Sequence, residues 1–224
     1  AGSISVGTND MRLGNLRIVN NVLLSHEQIG SILTSLLLIN PYSLEVTHRY
    51  PAYYRYDVIL DEYLITRPYN ASLFELFSVD PNNGLVPRAE VSLPYPVNSF
   101  PSFVAVNDST LGTQCDCGIK IWRCSDLANW ELLSTITHQF YSQAVACNGY
   151  LVCGAVENVT QRFYIYDITD PGEPEFIGLY PYPTGLGTFP IVQKMMAHDA
   201  YLFHPDFNYG CVCLRITDAG QIEF

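Results

Sequence analysis

Acidic and basic side chains suited to proton transfer occur at several points along this 224-residue sequence. They are Asp57, Asp61, Asp108, His198, Asp199, His204 and Asp206. Two carboxylates that flank a glycosidic bond can hydrolyse it, one of them as the acid. However, Asp61, Asp108 and Asp199 each stand at or beside a small polar corner that recurs along the chain. Turn geometry explains a residue that recurs in this way, so we predict no catalytic residue.

The seven cysteines suggest metal binding at first sight, because Cys115-x-Cys117 and Cys211-x-Cys213 each place two sulfurs on one face of a strand. Zinc usually takes four ligands, with about two to four residues between paired cysteines. Cys124 and His204 complete such a set only if distant parts of the chain meet. We therefore predict neither a metal nor a cofactor. No phosphate-binding, dinucleotide-binding or serine-hydrolase motif is present in the sequence.

Charge and composition exclude several classes of protein. The net charge is −11 and lysine occurs only at positions 120 and 194, so the chain repels phosphate backbones and we predict no nucleic acid partner. No apolar run approaches the roughly 20 residues of a membrane span. An odd number of cysteines does not form a complete disulfide framework, and the sequons at Asn70, Asn107 and Asn158 accept glycans only in a secreted chain. Cytoplasmic and secreted locations both stay open.

Two sequence markers repeat at intervals of about 40–50 residues, the spacing of repeat architectures. The first is a polar corner before an apolar run, and it begins at Asn20, Asp61, Asn107, Asn148 and His198. The second is a polar residue that closes a strand, and it stands at Asn40, Asp80, Asp126, Asp170 and Asp218. Because the two markers recur in the same order, at similar intervals, in five places, we predict five structural repeats.

Each repeat reads as four short antiparallel strands. The clearest is 143–183, where Asn148-Gly149 indicates a hairpin and Asp170-Pro171-Gly172 a tight turn. The predicted repeats cover approximately residues 13–51, 53–96, 100–137, 140–183 and 189–224. A competing prediction is a helix over Ser25–Ile39, capped by Ser25. The alignment of LLLINP with the other strand ends favours a strand there.

The segments IKIWRCSD and FYIYDITDP resemble the third strand and turn of WD40 repeats, and YIYDITDPGEPEFIG resembles LVIVD-type propeller repeats. The resemblance implies an all-β fold: a five-repeat β-propeller of four-stranded antiparallel blades, with residues 1–224 forming one domain. It is either a five-bladed ring or part of a larger propeller. In a ring, Ile4 and Val6 of the N-terminal segment SISVG are candidates to pair with the last blade and cover open sheet edges.

The resemblance to WD40 and LVIVD proteins implies a non-catalytic binding scaffold whose loop face contacts another macromolecule, with protein as the expected partner. Aromatic residues are frequent in the segments that connect one blade to the next, and aromatic residues often anchor interfaces. The predicted binding residues are Tyr53, Tyr54, Tyr95, Phe100, Tyr182, Phe189, His198 and Asp199. Glycans are the alternative partner, in a secreted lectin-like propeller. A third possibility is a glycosidase, because five-bladed propellers that resemble arabinanases carry inward-facing carboxylates.

Overall fold

The structure is a computed structural model of the chain. The structure describes residues 11–29, 32–51, 55–60, 63–67, 73–95, 101–115, 118–138, 144–157, 160–181, 195–206 and 210–223. The segment around Ile4 and Val6 lies outside these residues, so its predicted role in ring closure stays a prediction.

Five four-stranded antiparallel sheets follow one another along the chain, and in each sheet the strands pair in sequence order. Blade one contains β1 (Met11–Val19), β2 (Val22–Ile29), β3 (Ile32–Ile39) and β4 (Val46–Pro51). Blade two contains β5 (Arg55–Ile59), β6 (Tyr63–Arg67), β7 (Leu73–Asp80) and β8 (Gly84–Ser92).

The remaining three blades repeat this pattern. Blade three contains β9 (Ser102–Asn107), β10 (Thr110–Cys115), β11 (Gly118–Arg123) and β12 (Glu131–Ile136). Blade four contains β13 (Val145–Cys147), β14 (Tyr150–Glu157), β15 (Thr160–Asp167) and β16 (Glu175–Pro181). Blade five contains β17 (Met196–His198), β18 (Tyr201–Asp206), β19 (Gly210–Ile216) and β20 (Ile222–Glu223). The predicted all-β fold of five four-stranded propeller blades is confirmed.

The chain divides into two compact units. The first comprises Ala1–Phe100 with Leu127–Asn129, and the second comprises Pro101–Asp126 with Trp130–Phe224. Blades one and two belong to the first unit, and blades three to five to the second. That residues 1–224 form one domain stays a prediction. Among the described residues, no helix is long and apolar enough to cross a membrane.

The alternative helix over Ser25–Ile39 is wrong, because β2 and β3 occupy this stretch. The four consecutive residues Leu36–Ile39 are all fully buried. A strand covered on both faces shows such an unbroken apolar run, which by itself does not distinguish a strand from a buried helix.

The second sequence marker is explained by the turn between the third and fourth strands. Asp80 accepts hydrogen bonds through Oδ1 from the backbone N–H groups of Asn82 and Asn83, both at 2.8 Å. In the same way Asn40 Oδ1 accepts from Tyr42 and Ser43, at 2.9 and 3.1 Å. These are turns closed by a short polar side chain. The bonds from Asn83 and Asn82 also lower the pKa of Asp80, since they favour its carboxylate form.

The first marker has two physical causes. Asn20, Asn148 and Asp199 all have positive φ, of 47°, 51° and 51°, a conformation that asparagine and aspartate tolerate better than most residues. Asparagine at this corner also links neighbouring blades. Asn148 Nδ2 donates to the backbone oxygen of Ile216 at 3.1 Å, and Asn20 Nδ2 donates to that of Val79 at 3.4 Å.

Apolar packing joins the blades within each unit. Blade four is covered on both sides: Leu151, Cys153 and Ala155 pack in one cluster with residues of blade three. Val152, in the same strand, packs in a second cluster with residues of blade five. Because side chains alternate along a strand, β14 contributes to both clusters. In the first unit, a third cluster joins Val19, Val22, Leu24, Leu36 and Leu38 of blade one with Leu64 and Val79 of blade two.

The outer strands share a feature that limits edge-to-edge association. In blades one to four, the pairing of the third with the fourth strand contains a register shift, as expected for a β-bulge. A bulge twists the outer strand and disturbs its free row of hydrogen-bonding groups. Proline at position 87 and charged residues such as Arg49 and Glu175 add to this protection.

The blade-to-blade bond of Asn148 yields a stability prediction. Asn148→Gly keeps a residue that tolerates positive φ but removes the hydrogen bonds from Asn148 Nδ2 to the backbone oxygen of Ile216 and to Asp218 Oδ1. Asp199→Gly is the matched control, because Asp199 has the same φ and an exposed side chain. Urea unfolding at pH 7 is expected to show that Asn148→Gly loses about 0.5–1.5 kcal/mol more than the control. Equal losses would mean that the corner asparagine acts only through the turn.

Candidate functional site

A cleft of about 410 Å³ lies in the second unit, where the hairpin corners of three successive blades meet. Its walls come from the ends of β9, β13 and β17 and from the turn after β15. The lining residues are Ala105, Val106, Asn107, Ala146, Cys147, Asn148, Gly149, Ile168, Thr169, Ala197 and Asp199. Small side chains line the strands and polar groups lie at the corners, so the cleft suits a narrow ligand group with polar ends.

The innermost strands position this cleft. β13 lies between β9 and β17 and contacts both of them. Its corner is held to blade five by Asn148, and Tyr150 Oη donates to the backbone oxygen of Asp218 at 2.7 Å. Because the first strand of each blade ends in a tight hairpin, the three corners reach the same end of the unit. We call this end, with its hairpins, residues 124–126 after β11, the start of β12 and the turns after β15 and β19, the corner face.

The corner face is strongly acidic. Its described carboxylates are Asp108, Asp126, Glu131, Asp167, Asp170, Glu173, Glu175, Asp199, Asp218 and Glu223. The described cationic side chains on the same face are Arg123, Arg215 and, when protonated, His198. Each arginine is paired with a glutamate: Arg123 with Glu131 at 2.6 Å, and Arg215 with Glu223 at 3.3 Å. A cleft surrounded by one sign of charge concentrates counter-ions and attracts oppositely charged ligands.

Cys147 lines the cleft but is closed to solvent. It is 3% exposed, and burial raises the pKa of its thiol to about 11. Its Sγ lies 3.4 Å from the backbone oxygen of Asp199, to which the thiol donates. The residue therefore acts as a small apolar wall with a hydrogen bond to the next blade, and it is poorly suited to be a nucleophile at neutral pH.

His198 and Asp199 lie on the corner face with exposed side chains, and Asp199 lines the cleft. His198 Nε2 is 3.8 Å from Asp199 Oδ2 in a solvated position, where such a pair contributes little. His204 is buried, and Asp206 ends β18 at the opposite end of blade five. The rise along β18 places the backbones of Tyr201 and Asp206 roughly 17 Å apart. The structure therefore does not bring the His198-Asp199 and His204-Asp206 groups together as one acid–base site.

The predicted aromatic binding residues fall mostly outside the described part of the chain. These are Tyr53, Tyr54, Phe100, Tyr182 and Phe189. Tyr95 is described and is only 9% exposed, and its backbone oxygen accepts a hydrogen bond from Arg67 at 3.4 Å. Binding by these residues, and the lectin-like function that depended on them, stay predictions. Among the described residues, no group of three or more His, Cys, Asp and Glu is arranged to hold a metal ion.

Sequence reasoning did not single out Asn107, Asn148 or Thr169 as site residues. Asn107 and Asn148 each begin the first sequence marker, where both are interpreted only as turn residues. The pattern that would have identified them is the recurrence of the corner itself, because equivalent corners of adjacent blades must lie side by side in a propeller. The chemistry available to this group is binding: hydrogen bonds from amide and hydroxyl groups, and attraction of positive charge by the carboxylates.

No protein-family model matches the chain, and no curated protein matches it. Its fold is similar to that of a protein of unknown function from Desulfotomaculum acetoxidans, with a TM-score of 0.65 and 11% identity over 95% of this chain and 70% of that one. A catalytically inactive form of virginiamycin B lyase from Staphylococcus aureus, with quinupristin, has a similar fold, with a TM-score of 0.59 and 16% identity. The match covers 97% of this chain and 71% of the lyase chain. The dihydro-heme d1 dehydrogenase NirN has a TM-score of 0.55 and 11% identity, and the match covers 95% of this chain and 47% of the NirN chain.

These comparisons correct one prediction. The chain was expected not to be an enzyme, because propellers that resemble it usually act as scaffolds. The same fold is found in a dehydrogenase and in a lyase, so the inference from fold to a non-catalytic protein is wrong. At 11% and 16% identity the likeness is one of fold alone, and it assigns neither activity to this chain. The propeller resemblance is thus supported, and the finer assignment to WD40 or LVIVD repeats has no matching family model.

The closed position of Cys147 yields a labelling prediction. With iodoacetamide at pH 8, the peptide that contains Cys147 is expected to stay unmodified in the native protein, since the thiol is buried and its pKa is raised to about 11. In 8 M urea the same peptide is expected to be modified completely. Mass spectrometry of the digested protein measures both. Rapid modification of Cys147 in the native state would show that the cleft is open to its sulfur.

Proposed function

We propose that the chain is a propeller-type binding protein whose corner face receives a positively charged segment of a partner protein. The observation that carries this proposal is the coincidence of the cleft with the acidic corners around it. Charge complementarity of this kind raises association rates and selects partners. A basic peptide also suits the cleft by shape, since a lysine or arginine side chain is long and narrow and ends in hydrogen-bond donors.

The acceptors around the cleft match such a side chain. Asp108 and Asp199 supply exposed carboxylates at the corners of blades three and five, and Asn107 and Thr169 supply further oxygens between them. The small side chains Ala105, Ala146 and Ala197 leave room for an aliphatic stem. The wider acidic surface then attracts the residues that flank the inserted one.

Binding of a labelled peptide tests the proposal. A fluorescent dodecamer rich in lysine and arginine is expected to bind and to be displaced by added salt, whereas an acidic peptide of equal length is not. The variant Asp108→Asn/Asp199→Asn keeps the turns, because asparagine adopts the same conformations as aspartate. Its affinity for the basic peptide is expected to fall about threefold to tenfold, the effect of losing two exposed ion pairs.

The matched control is Glu45→Gln/Glu90→Gln, which removes the same amount of charge from exposed positions in the first unit. This variant is expected to bind the basic peptide as the unmodified protein does. If both double variants lose affinity equally, the peptide is responding to net charge and the corner face is not the site. Fluorescence anisotropy at two salt concentrations measures all of these affinities.

A further inference from the structure

Two thiols share one exposed face of β19 in blade five. Cys211 and Cys213 are both free and exposed, whereas Cys124, Cys147 and Cys153 are buried. Leu214 and Ile216 of the same strand are buried in the cluster with blade four. Cysteine is among the most frequently buried residue types, so an exposed pair on one strand face is an unusual feature.

The spacing of alternate residues along a strand suits a shared ligand better than a disulfide. Alternate residues of a strand are about 6.7 Å apart, with parallel side chains, whereas a disulfide requires Cβ atoms about 3.5–4.5 Å apart. A single atom bonded to both sulfurs bridges a wider gap. Two bonds of roughly 2.3 Å that meet near a right angle, as at pyramidal trivalent arsenic, hold sulfurs roughly 3.3 Å apart, which two cysteines reach when their side chains lean toward each other.

The pair supplies two soft sulfur ligands from one strand face, which suits a centre that binds through two protein sulfurs. Among the described residues no third His, Cys, Asp or Glu joins the pair in a metal-binding group. Phe203 stands opposite Cys213 in the ladder, and Arg215, next along the exposed face, is paired with Glu223. Hard cations select oxygen ligands, while thiolates select soft centres.

We propose that Cys211 and Cys213 form a two-thiolate site for a soft, thiophilic centre, with trivalent arsenic as the representative ligand. With an organic arsenoxide, two As–S bonds form and the arsenic–oxygen bond breaks. The two S–H bonds also break, and their protons leave with the oxygen as one molecule of water. Arsenic stays trivalent, so no oxidant or reductant takes part. The site is independent of the acidic corner face.

Intact-mass measurement with phenylarsine oxide tests the proposal. The sequence contains a second Cys-x-Cys pair, so the experiment uses the variant Cys115→Ser/Cys117→Ser. This protein is expected to take up one equivalent of the arsenical. The adduct is expected to resist excess monothiol and to be removed by ethanedithiol, as bidentate attachment requires.

Adding Cys211→Ser or Cys213→Ser to this background is expected to abolish the stable adduct, and circular dichroism checks that each variant remains folded. Peptide mapping of the adduct on the unmodified protein gives the location without any substitution. The proposal is overturned if the Cys115→Ser/Cys117→Ser protein takes up no arsenical. It is also overturned if the adduct survives either added serine or is removed by monothiol.

Discussion

Coverage of both faces of blade four is the constraint on which the described structure of the second unit depends. The central strands of blade four carry apolar side chains on alternate sides, so neither face can be left in water. Leu151 packs toward blade three, and Val152 packs toward blade five. Fully burying one such aliphatic side chain contributes about 1.5–3 kcal/mol, against about 0.5–1.5 kcal/mol for a hydrogen bond such as that of Asn148. Apolar packing therefore supplies most of the stabilisation, and the hydrogen bonds at the hairpin corners fix how neighbouring blades are aligned.

This face-to-face packing also produces the site. Once adjacent blades stack with their hairpins at the same end, the corners after β9, β13 and β17 must converge. Residues that the turns require, such as Asn148 and Asp199, then line a common cleft. The turns after the third strands add carboxylates such as Asp170 at the same end. An acidic surface around the cleft thus arises from residues whose first role is to close turns.

The repeat could be predicted because its markers have local causes. Asp80 and Asn40 close turns with their own side chains, and Asn148 adopts a conformation that most residues avoid, so each leaves a signal in the sequence. The alternative helix over Ser25–Ile39, against which the alignment of strand ends argued, shows the limit of local pattern, because a strand buried on both sides loses the alternation that identifies strands. The cleft could not be predicted in detail, since Asn107 and Thr169 meet only through the packing of separate blades. Catalytic status could not be deduced from the fold, which serves enzymes as well as other proteins.

Amide hydrogen exchange, followed by mass spectrometry on the native protein, tests the packing of blade four most directly. β15 is paired on both edges, and β14 pairs with β15 along its length and with β13 at residues 150–152. Because β14 is also covered on both faces, the amides of these two strands are expected to exchange most slowly in the second unit. The outer strand β16, which pairs on one side only among the described strands and carries the half-exposed Phe176, is expected to exchange much faster. Exchange of β14 at the rate of β16 would contradict the account, because a strand enclosed between two neighbouring blades cannot open as readily as an edge.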